Sequence, residues 1–105
     1  MLAAVRDEEQ VSAEVRPGHA TIVRLRGEFD LMNADRLREV LLFAYTANPA
    51  VLVDVTEATF IDAAILSVLA VANARCHDQL RIRGATGGVA RLFQVADMEH
   101  LLQQD

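Results

Sequence analysis

Two runs of alternating apolar and polar residues near the start of the chain predict a β-hairpin. Residues 11–15 alternate in this way, and a second alternation covers residues 21–26 and ends at Gly27. A period of two is typical of strands that bury one face. Pro17-Gly18, a turn pair, separates the two runs. We therefore expect two antiparallel strands joined by a short turn.

After the hairpin, apolar residues recur every three or four positions, which predicts helices. The first helix follows a connection over residues 28–32 and has Asn33 as its expected N-cap. It ends before Asn48-Pro49, because proline disfavours the α region for the residue that precedes it. Further helices are expected at three places: from Asp62 or Ala63 to about Cys76, over residues 89–96, and, as a last short helix, over residues 98–102.

Two more strands lie between these helices. Residues 50–55 are apolar at nearly every position, which indicates a central strand covered on both faces. We expect a turn at Thr56-Glu57 after it, and residues 80–84 predict a shorter strand. Strands alternating with helices indicate an α/β fold with a mixed four-stranded sheet and right-handed crossovers. Residues 1–9 are polar and acidic, so we expect a flexible segment before a single domain over residues 10–105.

Composition excludes several classes of function. The chain is 52% hydrophobic, but no apolar run approaches the ~20 residues of a membrane span, and the N-terminus does not resemble a secretory signal. A net charge of −5 argues against nucleic acid or an anionic membrane as partner. Cys76 is the only cysteine, which fits a reducing cytoplasm. The three histidines are scattered, so we expect no metal site and no cofactor.

The start of the helix after Asp62 is the best candidate for recognition. Backbone N–H groups point outward at a helix start, and Asp62 can cap them. Asp54 has two open interpretations, as an acceptor for turn amides or as part of a binding rim. Several carboxylates are expected near the connections. They fit a solvated acidic rim better than a metal or acid–base site.

The segment VDVTEATFID, residues 53–62, followed by a helix that starts with small residues, resembles the central motif of STAS domains. These are the domains of anti-sigma factor antagonists and of the cytoplasmic tails of sulfate transporters. Residues 27–30, Gly-Glu-Phe-Asp, are similar to the Gly-Glu-Leu-Asp turn of the family. The resemblance runs from about residue 11 to residue 102, and it implies a small sheet with about four helices packed mainly on one face.

The helix start departs from the family pattern. Bacterial antagonists of the family typically have Asp-Ser-Ser-Gly there, and their partner kinase phosphorylates the second serine. Here the sequence is Asp62-Ala63-Ala64-Ile65, so Ala64 replaces the phosphoacceptor and Ile65 the glycine, and Ser67 falls on a later glycine of the pattern. On another interpretation the two alanines are simply good helix formers. Thr56, Thr59 and Ser67 are the nearby hydroxyls that could replace the lost phosphosite.

The resemblance implies a non-enzymatic anti-sigma factor antagonist that binds a kinase-like, ATP-binding anti-sigma factor and is not switched at residue 64. The residues that it implies for partner binding are Asp30, Asp54, Thr59, Asp62, Ala63, Ala64, Ile65 and Ser67. A regulatory subunit of an ABC transporter ATPase and a degenerate STAS scaffold remain alternatives. A small enzyme or nucleotide binder is disfavoured, since residues 84–88 lack the lysine and spacing of a P-loop.

The helix from Ala63 to Cys76 is apolar in most directions around its axis. A helix on one side of a small sheet normally has a polar outer face. Either a neighbouring helix covers this one, or an apolar strip is exposed for a partner or for a homodimer.

Overall fold

The computed structural model describes residues 4–7 and 10–103. The strands are β1 (Ala4–Asp7), β2 (Val11–Val15), β3 (Thr21–Phe29), β4 (Val51–Ile61) and β5 (Leu80–Arg83). The α-helices are α1 (Ala34–Ala47), α2 (Ala63–Arg75) and α3 (Gly87–Val95). Two short 3-10 helices cover Leu31–Asn33 and Glu99–Leu101.

The strands form one mixed sheet in the order β1-β2-β3-β4-β5. The β1–β2 and β2–β3 pairs are antiparallel, and the β3–β4 and β4–β5 pairs are parallel. Helices α1 and α2 make the two crossovers between parallel strands. The predicted α/β fold with a mixed sheet is therefore confirmed, and β2–β5 are the four strands that the sequence pattern predicted.

Two details at the ends of the chain differ from the expectation. Residues 4–7, expected in a flexible segment, pair with β2 as a fifth strand at the edge of the sheet. This strand is held by backbone hydrogen bonds to β2. Such pairing does not require an apolar side-chain pattern, so a polar, acidic sequence does not predict it. The flexibility expected for residues 1–3, 8 and 9 lies outside the described residues. The last predicted helix is only a 3-10 turn, Glu99–Leu101, so the described chain has three α-helices instead of about four.

One core lies between the sheet and the helices. Alternate residues of the strands point into it, among them Val23 and Val53, which are fully buried neighbours in register. Leu37 of α1, Leu69 of α2 and Phe93 of α3 close the same core and are also fully buried. The intervening strand residues, such as Arg24 and Asp54, point to the opposite face, because successive side chains alternate across a strand. The helices therefore fix the carboxyl ends of β3 and β4 in one place.

The turn predicted at Thr56-Glu57 is wrong, because β4 continues through it to Ile61. The pairing of β3 with β4 shifts register twice, between Arg24 and Arg26 and again between Gly27 and Glu28. Each shift places an extra residue in β4, which is a β-bulge. Polar residues at a bulge interrupt the apolar pattern of a strand much as a turn does. The strand therefore ends at Ile61, seven residues beyond Asp54.

Among the described residues, no helix is both long and apolar enough to cross a membrane.

Candidate functional site

The carboxyl ends of β3 and β4 are joined side by side. Phe29 is in register with Ile61, and the amide of Asp62 donates a hydrogen bond to the carbonyl oxygen of Phe29 at 3.1 Å. The chain leaves β3 at Asp30 and β4 at Asp62. The connection before α1 and the start of α2 therefore emerge next to each other from the same edge of the sheet.

Asp30 fixes the first of these two connections. Its carboxylate accepts a hydrogen bond from the amide of Met32 at 2.9 Å, and its own amide donates to the Asn33 side chain, also at 2.9 Å. This reciprocal pair is a capping box on the 3-10 turn Leu31–Asn33. Asn33 was predicted to cap α1, but its side chain makes no bond to the first turn of that helix. Its amide group instead donates to the carbonyl oxygen of Glu28 at 2.9 Å.

The capped turn exposes two large apolar side chains. Leu31 is 75% exposed and Met32 is 90% exposed. Phe60, near the end of β4, is 48% exposed and points away from the core side on which Ile61 is buried. Exposed apolar side chains that cluster at one edge are typical of protein-binding surfaces. We call Asp30, Leu31, Met32, Asp62, Ala63 and Ala64 the edge surface, with Phe60 at its border.

The start of α2 is built as the sequence predicted for Asp62. The Asp62 carboxylate accepts a hydrogen bond from the amide of Ile65 at 3.2 Å, which makes it the N-cap. Ala63 is exposed and Ala64 is half-buried, so both can contact a partner. Ile65 is fully buried in the core and cannot do so. Ile65, which was predicted to bind a partner, instead packs in the core beneath the start of α2.

Asp54 lies away from this edge. Its partner on β3, Arg24, stands five residues before Phe29, which corresponds to roughly 17 Å along the sheet, and Asp54 faces the side of the sheet opposite the core. The expected turn at Thr56-Glu57 would have ended the strand close to Asp54. Because β4 instead continues through two bulges to Ile61, Asp54 lies far from the end of the strand. The rim that was predicted to include both Asp30 and Asp54 is not assembled.

Asp54 instead joins β4 to β5 by polar contacts. Its carboxylate accepts from Arg83 Nη2 at 2.9 Å and from the amide and hydroxyl of Thr56 at 2.9 and 2.6 Å. Burial alone would raise the pKa of this carboxyl, but the hydrogen bonds from Thr56 and then the bond and charge of Arg83 outweigh it. The pKa of Asp54 is therefore held below its usual value, and this carboxylate has a structural role.

The remaining candidate hydroxyls occupy different positions. Thr59 is exposed near the second bulge of β4, close to the edge surface. Ser67 is exposed on the second turn of α2, and its hydroxyl donates to the carbonyl oxygen of Ala63, one turn earlier, at 3.4 Å. Thr56 is bound to Asp54. Within the residues that the structure describes, no three acidic, histidine or cysteine side chains are grouped so that they could hold a metal ion.

Leu31 and Met32 were not predicted as site residues. The signal was present in the sequence, because two large apolar residues stand between Asp30 and Asn33, two good capping residues. A capped turn that short directs both side chains outward.

Comparison with known proteins identifies the class. The family model described as "Mlab, STAS domain" matches residues 12–103, so the chain belongs to this STAS-domain family. The predicted resemblance to STAS domains is thereby confirmed. No curated protein matches the chain.

Two solved structures share the fold. The unphosphorylated form of the anti-sigma factor antagonist SpoIIAA aligns with a TM-score of 0.77 and 14% identity, covering 90% of this chain and 87% of that one. An anti-sigma factor antagonist from Mycobacterium paratuberculosis aligns with a TM-score of 0.74 and 16% identity, covering 98% of this chain and 85% of that one. At such identities the likeness extends to the fold alone.

Proposed function

We propose that the chain is a non-enzymatic, cytoplasmic anti-sigma factor antagonist that binds a kinase-like anti-sigma factor through its edge surface. By holding that factor, it would release a sigma factor and so regulate transcription. The proposal rests on the STAS family membership and on the fold shared with two proteins described as anti-sigma factor antagonists.

The observation that carries the proposal is the exposure of Leu31 and Met32 beside the capped start of α2. Burying two such side chains against a partner would supply about 1.5–3 kcal/mol each. The carboxylates of Asp30 and Asp62 flank them and cap their own turns. A partner with an apolar pocket bordered by basic residues fits this surface best.

Binding would not be switched off by phosphorylation at residue 64. A phosphoserine there would add about −1.5 to −2 charge close to Asp62 and repel a matched partner. Ala64 has no hydroxyl group to accept a phosphoryl group. We therefore infer that binding to the anti-sigma factor is not regulated at residue 64. The amount of bound anti-sigma factor would then depend on the concentration of this protein.

The experiment is a calorimetric titration of the purified chain with each kinase-like anti-sigma factor of its native host. Saturable one-to-one binding to one of them is the expected result. Absence of binding to every one of them, with nucleotide present or absent, would contradict the proposal.

A second candidate is a regulatory subunit of an ABC transporter ATPase. The pair Ala63-Ala64 favours it, because a subunit that stays on its ATPase needs no phosphorylation switch at the contact. Purified transporter ATPases from the same host serve as the other arm of the titration. Binding to an ATPase and to no anti-sigma factor would select this candidate. Binding to neither class would leave the edge surface without a partner and favour a degenerate scaffold.

A further inference from the structure

A groove of about 540 Å³ runs between α1 and α2. Its apolar lining consists of Leu41, Leu42, Tyr45, Val68, Val71 and Ala72. Leu42 and Val71 are each 53% exposed, although both stand on helices whose other faces are packed in the core. The helix pair thus presents an apolar surface that is separate from Leu31 and Met32, neither of which lines the groove.

The two ends of this groove carry different charges. Helices α1 and α2 run in the same direction, because each crosses between parallel strands. Asp35, in the first turn of α1, and Asp62, the cap of α2, therefore lie at one end. Arg75, in the last turn of α2, lies at the other end. Among the described residues, Arg75 has no ion-pair partner.

We propose that this groove is the interface of a homodimer in which the α2 helices of two copies pack antiparallel across a two-fold axis. A two-fold interface requires a surface that is complementary to itself when inverted. Inversion of this one places the Arg75 end of each copy against the acidic end of the other, where Asp35 is 95% exposed. Asp35 is ion-paired with Arg38 of its own copy, but Glu39 also lines this part of the groove and Asp62 lies at the same end. The end therefore keeps a net negative charge, which Arg75 of a second copy can meet.

The apolar parts of the groove are matched in the same arrangement. Val71 of each copy enters the groove of the other, beside Leu42. The remaining exposed positions of α2 are short, since Ala63, Ser67, Ala70 and Ala74 line its outer side, so a second helix can approach to the usual 8–10 Å. A dimer then stacks two helix layers between two sheets. Burial of the outer side of α2 by the second copy explains why this helix is apolar in most directions around its axis.

The first test is the molar mass of the full chain in solution over a range of concentrations. The expected species at high concentration has twice the 11.5 kDa mass of one chain. Val71→Glu places a charge in the apolar contact and should weaken dimerisation roughly tenfold or more, and Arg75→Glu should also weaken it. Val95→Glu is the matched control, since Val95 is 78% exposed at the end of α3 and does not line the groove. Circular dichroism checks that each variant is folded.

The second test probes the position of the two-fold axis. Ala70 is exposed near the middle of α2, so an antiparallel pair brings its two copies close together. Ala70→Cys should form an intermolecular disulfide on mild oxidation, whereas Ala47→Cys, at the exposed end of α1, should not. The native Cys76 is buried and takes no part.

Three results would overturn the dimer. The first is a chain that is monomeric at every concentration, and the second is a dimer that Val71→Glu leaves unchanged. The third is a monomer in which Val71→Glu weakens binding to the anti-sigma factor, because the groove would then serve that partner. Asp62 and Ala63 belong to both contacts, so the two proposals are separated at residues that only one of them uses. Met32→Asp, outside the groove, should leave the dimer intact, and Val71→Glu, outside the edge surface, should leave binding of the anti-sigma factor intact.

Discussion

The amide of Asp62 donates a hydrogen bond to the carbonyl oxygen of Phe29, at 3.1 Å, and this bond ties the last residues of two parallel strands together. Beyond it, one chain segment turns at once into the exposed Leu31-Met32 pair and the other into the capped start of α2. The edge surface therefore depends on a backbone contact between residues 33 positions apart in the sequence.

The Asp62 cap is expected to contribute to stability without contributing to the core. Asp62→Ala should lower the free energy of unfolding by about 1 kcal/mol, because the first-turn amide of Ile65 loses its acceptor. Asp62→Asn keeps an oxygen in the same place, so its free energy of unfolding should stay close to that of the wild type. Urea denaturation of the three proteins gives the comparison, and equal midpoints for the alanine and asparagine variants would rule out the cap.

Gly84 should tolerate no side chain. Its φ is +83°, and an added Cβ would come within 3.0 Å of the Thr56 amide nitrogen and overlap the Thr56 hydroxyl. Gly18 has nearly the same φ, +81°, but has open space around it. Gly18→Ala should therefore cost only the roughly 1–2 kcal/mol of the left-handed backbone. Gly84→Ala should cost clearly more in thermal or urea unfolding, and equal losses would mean that the contact with β4 is unimportant.

The Asp54–Arg83 pair predicts a dependence of stability on pH. The pKa of Asp54 is lowered in the folded chain, so its stabilising contribution is complete above the unfolded value of about 3.8 and is lost as the pH falls through the lower folded value. Arg83→Met should lower the free energy of unfolding by about 1 kcal/mol at neutral pH, and the difference from wild type should shrink below pH 3.8.

Arg81 provides the matched control for this measurement. It stands two residues earlier on β5 and, within residues 4–7 and 10–103, donates only to backbone carbonyl oxygens, those of Asp78 and Leu80. Arg81→Met should show a difference from wild type that does not change over the same acid range. If both arginine variants respond alike to pH, the carboxylate of Asp54 is not the group that titrates.

Much of this architecture follows from local sequence. The period-two run before Gly27 and the apolar segment 50–55 were enough to predict β3 and the first part of β4, because burial of a strand leaves a pattern in the residues themselves. The cover expected on both faces of residues 50–55 was wrong, since Leu52 and Asp54 are only half-buried and the helices pack on the other face. Asp62 was identified as a cap because a capping residue acts within four positions of itself.

The features that local sequence could not predict depend on pairing between distant residues. The bulges of β4 are defined by their register with β3, so Thr56-Glu57 was mistaken for a turn and Asp54 was placed at the rim. The strand Ala4–Asp7 exists through its pairing with β2. The exposure of Leu31 and Met32 likewise depends on which element covers them, and the described structure leaves them uncovered.

Phosphorylation is expected to be absent from this region. Ala64 has no acceptor, the Thr56 hydroxyl is held by Asp54 at 2.6 Å, and the Ser67 hydroxyl bonds back to its own helix. Incubation with the partner kinase and ATP, followed by intact-mass measurement, should show no added phosphate. Ala64→Ser is the positive control, since it restores an acceptor at the family position. A phosphate mapped to Thr56, Thr59 or Ser67 in the wild-type chain would contradict this prediction.

The most direct test of the edge surface is the affinity of one substituted chain for the anti-sigma factor, measured by calorimetry. Met32→Asp changes a residue that is 90% exposed, so it should leave folding intact while placing a charge in the proposed contact. Binding should weaken roughly 30-fold or more, as for a central interface residue, whereas Val95→Asp should bind like wild type. Wild-type affinity for Met32→Asp would show that the partner docks elsewhere and that the edge surface is not the binding site.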